Sequence, residues 1–233
     1  MSTPRVVTVD GPAGSGKTTL GRRLAQAMQL PLIDTGLFYR GVTVAAARAG
    51  IDAADPEAAA SLARRTVIEI NTDAYADDGS WSIRVDGEDA GELARDPRRA
   101  TLLAELSALP GVRAAILGSQ RALATGGAVA VGRDCGTVIF PHADLKLYLR
   151  ASPEVRARRR AEQLALAGVH VDPEELEREI AGRDALDEGR AVSPLRPAPD
   201  AHIIDSGVYG IEEMVDVALG LCRQAGLIDG GTT

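Results

Sequence analysis

Hydrophobic and polar positions along this chain change period several times. Arg5-Val6-Val7-Thr8-Val9-Asp10 is a short apolar, β-branched run that reads as a buried strand. A glycine-rich turn follows from Gly11 to Gly16, and then Leu20, Leu24 and Met28 recur at i, i+4 and i+8. That spacing predicts an amphipathic helix over Thr18–Met28. Leu32-Ile33 reads as a second short strand ending at Asp34-Thr35-Gly36, and a helix from about Leu37 to Ala49 closes at Gly50. A strand–helix–strand–helix opening is the mark of an α/β fold with a parallel sheet.

The pattern then shortens. Val67, Ile68 and Ile70 form one short strand, and Trp81, Ile83 and Val85 alternate with polar residues in another. The turn signals Asp78-Gly79 and Asp86-Gly87 flank the second, so this stretch predicts a small antiparallel ribbon inserted in the α/β core. Residues 98–125 return to helix with one break at Pro110-Gly111. Three more strands follow at Val129–Val131, Leu145–Leu149 and Ile203-Ile204. Between the last two lies an arginine-rich helical region. Its helices start at Ser152-Pro153-Glu154 and Asp172-Pro173-Glu174, each a cap, a first-position proline and an acid in the first turn. Pro194, Pro197 and Pro199 force an extended approach to the last strand, and a helix of about Ile211–Ala225 ends at Gly226. Asp229–Thr233 read as a disordered tail. The expected organisation is a core from 1–37, 111–150 and 200–233, an insertion over 38–110, and a helical lid with its following helix over 151–199.

Composition narrows the class. The 233 residues carry 26 cationic and 33 acidic side chains, a formal net charge of −7, with 45% hydrophobic positions. This is the balance of a soluble globular protein with ample core, and it argues against a non-specific nucleic-acid binder. No apolar run approaches the roughly 18 residues of a membrane helix, and no leader, anchor or transit segment is read. Cys135 and Cys222 fit no metal or redox spacing, so a cytoplasmic, reduced setting is expected. Only Lys17 and Lys146 are lysines; the other 24 cations are arginine, so a motif that requires lysine stands out.

Such a motif is present. Gly11-Pro12-Ala13-Gly14-Ser15-Gly16-Lys17-Thr18 matches G-x-x-x-x-G-K-[ST], after a strand and opening a helix. Glycines let successive backbone N–H groups converge on one concavity, and the helix N-terminus adds partial positive charge. Lys17 is expected to reach the outer phosphates of a nucleoside triphosphate, with Thr18 as ligand to Mg²⁺ and Thr19 continuing the donor site. The chain has no N-K-x-D tetrapeptide, which a base-reading switch GTPase needs, and no apolar strand ending in an acidic pair, as motor ATPases need. The size, with short helices and an insertion, favours a small-molecule kinase.

Thr35 and Arg40 lie at the start of the helix that leaves the second core strand, and Arg133 and Asp134 follow the third. Ligands bind at such carboxyl ends of parallel strands. Two arginines there grip a phosphate dianion bidentately. Taken singly, Arg40 or Arg133 is as readily a solvated surface charge. Arg183, Asp187 and Arg190 are spaced i, i+4 and i+7, the positions of one helix face.

Four segments together resemble the bacterial cytidylate kinases. They are the glycine-rich loop, Asp34-Thr35-Gly36-Leu37-Phe38-Tyr39-Arg40, Val131-Gly132-Arg133-Asp134-Cys135-Gly136-Thr137-Val138, and Arg183-Asp184 with Asp187 and Arg190-Ala191-Val192. The order and spacing match over nearly the whole chain. The resemblance implies a P-loop kinase fold: a five-stranded parallel sheet with flanking helices, an inserted monophosphate-binding region with a small antiparallel sheet, and a helical lid. It implies transfer of the γ-phosphoryl group of ATP to CMP or dCMP with Mg²⁺, by a monomer that engages neither nucleic acid nor membrane. It gives Arg113 to the cytosine ring, Arg183 and Asp187 to the pentose, and Arg190 to base or phosphate. Cytosine offers acceptors at O2 and N3 and a donor at N4, which arginine donors with an Asp134 acceptor suit better than uracil. The chain departs from the family at Ala104, where a serine is usual with Ser107 three residues on, and at Leu186 and Gly189, where polar residues are usual. These departures leave open a kinase of another pyrimidine or a modified cytidylate.

The lid segment carries Arg156, Arg158, Arg159 and Arg160. Arg159 and Arg160 are expected to close over the transferring group and neutralise its charge beside Lys17 and Arg133, with Arg156 a lesser candidate. No general base is required, because the acceptor phosphate is already ionised. His142, His170 and His202 read as surface or loop residues. An RNA-binding P-loop ATPase using the arginine-rich helices as a basic patch is the alternative from another class, disfavoured by the acidic total.

Overall fold

Five strands form the central sheet: β1 (Val6–Asp10), β2 (Leu32–Asp34), β6 (Ala128–Gly132), β7 (Leu145–Arg150) and β8 (His202–Asp205). Their spatial order is β2-β6-β1-β7-β8, and every pairing is parallel. The computed structural model that shows this describes residues 5–73, 81–166 and 168–228. The expected Asp78-Gly79 turn and the expected tail at Asp229–Thr233 lie outside the described residues.

Side chains alternate across a strand, so the two sheet faces differ. Val7 and Val9 align with Val129 and Val131 on one side and with Leu145 and Leu147 on the other. This face is covered by α1 (Lys17–Met28), through Leu20, Leu24 and Met28, and by α9 (Ile211–Gln224), through Met214, Val215 and Ala218. Thr8 and Asp10 fall on the opposite face, in register with Lys146 and Tyr148. A buried polar row is thus directed at the elements that carry the second half of the site.

α2 (Gly36–Ala49) leaves β2 and buries Phe38, Val42 and Val44 in a second core. That core is completed by β3 (Ile68–Ile70), β4 (Ile83–Val85) and β5 (Glu88–Asp89), an antiparallel sheet in that order. Between β4 and β5 the two-residue loop Asp86-Gly87 has φ of 53 and 82 at its centre, the positive-φ pair of the hairpin turn expected there. Two residues are too few for an alternating pattern, and β5 left no sequence signal. Two helices were also silent: α3 (Pro56–Arg65), whose inner face is mostly alanine, and the five-residue α4 (Gly91–Arg95). The long helical stretch divides as expected at Pro110 into α5 (Ala100–Ala108) and α6 (Pro110–Ala122), the latter turned 89° from the segment beginning at Pro97. α7 (Pro153–Leu166) and α8 (Pro173–Glu188) form the arginine-rich hairpin, with Asp172 capping α8 through Glu174 N–H at 3.0 Å. No single helix among the described residues is long and apolar enough to cross a membrane.

Candidate functional site

The loop between β1 and α1 is shaped by its first glycine. Gly11 sits at φ 146, and a Cβ there would lie 2.3 Å from the Leu149 carbonyl oxygen. Any side chain would push the loop off the end of β7. Gly11, Pro12 and Ser15 are buried under the loop, while Ala13, Gly14, Gly16, Lys17, Thr18 and Thr19 line the clefts above it. The Lys17 ammonium donates to the Pro12 carbonyl at 2.7 Å, folded against its own loop. Burial, with Arg133 nearby, pulls its pKa down to about 7, against the opposing influence of Asp34 and Asp10.

Two clefts meet at this loop. The inner one, about 530 Å³, runs from Lys17 and Thr18 along Asp34, Thr35, Tyr39 and Arg40 to Arg113, Arg133 and Asp134, and is roofed by Arg183, Asp187 and Arg190. The outer one, about 860 Å³, lies between the loop and the α7–α8 hairpin and is lined by Arg159, Arg160 and Gln163. Arg40 and Arg183 border both, as do Lys17 and Thr18. Residues expected from four separate segments are therefore brought together around one junction.

Three inner-cleft arginines, Arg113, Arg133 and Arg190, are held in ion pairs. Asp187, 3% exposed, takes both Arg133 and, at 2.5 Å, Arg190. Arg190 also donates to Ser107 Oγ at 3.3 Å. Arg113 pairs with Asp134, donates to the Ser107 carbonyl at 2.8 Å, and lies 5.0 Å over the Tyr39 ring. Planar guanidinium groups paired in this way are oriented before any ligand arrives, which lowers the ordering cost of binding. The shared helix face expected for Arg183, Asp187 and Arg190 is corrected in one respect: α8 ends at Glu188, and Arg190 lies beyond the Gly189 cap. The chain leaving the helix still returns Arg190 to Asp187.

Thr35 reaches the floor of the inner cleft but is 2% exposed, and its hydroxyl donates to the Val131 carbonyl at 3.0 Å. Its side chain ties the start of α2 to β6. Gly132 must be glycine here, because a Cβ would fall 2.4 Å from Thr35 Oγ1 and 2.6 Å from Cys135 Sγ. Arg156 is likewise absorbed by the structure. It is 2% exposed, pairs with Asp184, and donates to the carbonyls of Ala151 and Ala13, both at 3.1 Å. It fastens α7 to α8 and to the loop. Arg159 donates to Ser206 Oγ at 3.2 Å, whereas Arg160 is exposed at the outer cleft. Ala104, Glu105, Ser107 and Leu186 all line the inner cleft, and Leu186 is 70% exposed.

Asp10 is the residue that sequence reasoning passed over. Buried at the end of β1, its carboxylate accepts N–H bonds from Cys135 at 2.8 Å and Gly136 at 2.7 Å. Burial raises its pKa to about 6 in spite of those two bonds, and Asp134 adds to the rise. The bonds anchor a π-helical turn, Cys135–Ile139, directly after Arg133 and Asp134. One carboxylate thus joins the loop that opens α1 to the turn that presents the inner-cleft pair. The available signal was an acid closing an apolar strand immediately before the glycine loop. Asp34, also missed, accepts from Gly36 N–H at 2.9 Å; burial raises its pKa while Lys17, Arg40 and Arg133 oppose the rise.

A family model described as cytidylate kinase matches residues 7–224. The chain is 43% identical over 210 residues to the cytidylate kinase of Pelotomaculum thermopropionicum, covering 90% of this chain and 92% of that protein. It is also 43% identical over 215 residues to that of Vibrio cholerae, covering 92% and 94%. Identity to the Mycobacterium avium cytidylate kinase is 40% over 226 residues, covering 96% and 97%. With a parallel five-stranded sheet, a glycine-rich phosphate loop and an arginine-lined inner cleft already described, the match extends over the whole working part of the molecule, and this chain belongs to the cytidylate kinase family of nucleoside monophosphate kinases.

Proposed function

We propose that the chain transfers the γ-phosphoryl group of ATP to CMP and dCMP, giving ADP with CDP or dCDP, in a reaction supported by Mg²⁺. The observation that carries this reading is the meeting of two clefts at Lys17, Thr18, Arg40 and Arg183, one lined by prearranged arginines and the other opening beneath the α7 arginines. The outer cleft takes ATP, its phosphates cradled by the loop from Gly11 to Thr19. The inner cleft takes the monophosphate: Arg40 and Arg133 on its phosphate, Arg183 and Asp187 on its pentose, Arg113 and Asp134 on its base, Arg190 between base and phosphate, and Thr35 beneath.

In this reading an oxygen of the acceptor phosphate attacks the γ-phosphorus in line, and the bond to the bridging oxygen of ADP breaks. The acceptor oxygen is already ionised, so no residue removes a proton. Catalysis is alignment and charge stabilisation by Lys17, Arg133, Arg159 and Arg160. The residues present fit a hard cation held mainly by phosphate oxygens and water: Thr18 is exposed at the junction of the clefts, and no group of three or more His, Cys, Asp or Glu surrounds a metal position among the described residues. Thr18 would hold Mg²⁺ there, and the ion would supply positive charge against the charge developing on the phosphates. Movement of the 38–110 and 151–199 regions toward each other excludes the water that otherwise hydrolyses ATP. The reading includes a monomer in the cytoplasm, acting on free nucleotides without nucleic acid or membrane.

The test is ADP formation from ATP with CMP, dCMP, UMP, AMP and GMP offered separately, with Mg²⁺ and with a chelator. Strong turnover confined to CMP and dCMP and abolished by chelation is expected. Preference for another monophosphate would remove the cytosine assignment, and ATP hydrolysis stimulated by RNA with no acceptor would remove the kinase reading.

A further inference from the structure

Trp81 is the only tryptophan in the chain. It stands at the entry to β4, half-buried, with part of its ring packed on the core of the antiparallel insertion. Two guanidinium groups lie over that ring. Arg95 is 4.0 Å from the ring centroid and also donates to the Trp81 carbonyl at 2.6 Å. Arg40 is 5.7 Å from the same centroid and donates to the carbonyl of Ala94 at 2.5 Å. Ala94 and Arg95 are the last two residues of α4. The ribbon and this short helix therefore form a bracket with one aromatic wall, on which Arg95 is stacked, and one carbonyl wall, and the guanidinium of Arg40 reaches both.

Arg40 needs such support. It borders both clefts, and its charged neighbours include the cations Arg133, Arg95 and Arg183, with Asp34 opposing them. A long side chain surrounded by like charge tends to swing toward solvent. An aromatic face attracts a cation through its quadrupole, and a carbonyl fixes the guanidinium plane. We propose that Trp81 is a positioning residue that, with the Ala94 carbonyl, holds Arg40 at the cleft junction ready for the phosphate of the acceptor nucleotide. The antiparallel insertion then contributes to acceptor capture even though its strands do not line the cleft. The proposal rests on the reading of Arg40 as an acceptor-phosphate contact.

Because no other residue is a tryptophan, emission excited near the red edge of indole absorption reports this bracket directly. Titrating the full chain with CMP should change the emission as the phosphate draws on Arg40. Cytidine, which has the base and sugar but no phosphate, should leave it unchanged at the same concentrations. A cytidine response equal to that of CMP, or silence with CMP in a protein that turns CMP over, would overturn the proposal. A kinetic arm separates positioning from structure. W81L keeps apolar bulk without the aromatic face and should raise the KM for CMP about two- to fivefold, with the KM for ATP unchanged. W81F should restore the wild-type value. Equal kinetics in all three proteins, equal shifts in both KM values, or failure of W81F to rescue a folded W81L would each contradict the proposal. If no monophosphate is phosphorylated in the turnover assay, the functional reading fails and this inference fails with it. Turnover of CMP with a silent tryptophan and an unaffected W81L defeats this inference alone.

Discussion

The loop before α1 and the inner cleft both handle phosphate in the proposed reaction, yet they are built in opposite ways. The loop is local: eight consecutive residues, shaped by glycines and completed by one lysine bonded to its own Pro12 carbonyl. The inner cleft is assembled from distant side chains. Arg113 and Asp134 are 21 residues apart, and Arg133 and Asp187 are 54 apart. Backbone donors need no partner to stay in place, because the loop conformation aims them. Side-chain donors need counter-charges, and Asp187 and Asp134 supply them. The difference implies that donor binding tolerates change elsewhere in the fold, whereas acceptor binding depends on every partner in its ion-pair network.

The largest effect expected from breaking this contrast is at Lys17. Lys17→Ala should lower kcat about a hundred- to a thousandfold, the usual cost of removing one charge-stabilising donor, while CMP binding measured by calorimetry changes little. Strong loss of CMP binding would show that the two sites are not separately built.

A smaller and more diagnostic effect is expected at Asp10, the tie between loop and cleft. Its folded pKa of about 6 lies above the ordinary carboxylate value of 3.8. A raised pKa means the folded state binds more protons than the unfolded state between those values, so its contribution to stability is fully present below pH 3.8 and is lost as pH rises through about 6. Asp10→Asn does not titrate. The difference in melting temperature, wild type minus Asp10→Asn, should therefore fall between pH 4 and 6 and level off above. A difference independent of pH would refute the burial argument. Lys17 has the opposite sign. Its pKa, lowered to about 7, makes the unfolded state bind more protons above that pH, so this group adds stability as pH rises from about 7 toward 10.5.

The smallest effect lies at the base end of the cleft. Ala104→Ser adds one hydroxyl to the wall beside Ser107 and should change the CMP-to-UMP ratio of kcat/KM about fivefold, the worth of one ordinary hydrogen bond. An unchanged ratio would mean that Arg113 and Asp134 carry base selection without that wall.

The same contrast decides what the amino-acid sequence made legible. The loop, its strand and α1 follow from nearest-neighbour patterns, and so do the five core strands. α3 did not, because alanines at Ala59, Ala60 and Ala63 make its buried face weakly apolar. The motifs named the cleft residues, but not their pairings, which exist only after β6, α6 and α8 have packed. Periodicity could not show that Arg156, a lesser lid candidate that lines the outer cleft, is also enclosed by Ala13 and Asp184. The motif placed Thr35 at the cleft but did not reveal that Val131 accepts its hydroxyl. Asp10 was missed because its partners, Cys135 and Gly136, lie 125 and 126 residues away.

Asp187 tests the central claim most directly, since one buried carboxylate holds two inner-cleft arginines and none of the loop. Steady-state kinetics of Asp187→Asn, with ATP and CMP varied in turn, should raise the KM for CMP at least about tenfold, the size expected when a hydrogen bond between charged groups is weakened. The KM for ATP should stay within about twofold, because the two arginines that Asp187 pairs with, Arg133 and Arg190, line the inner cleft and not the outer one. Equal increases in both constants, or an increase for ATP alone, would contradict the separation of a backbone-built donor site from an ion-pair-built acceptor site.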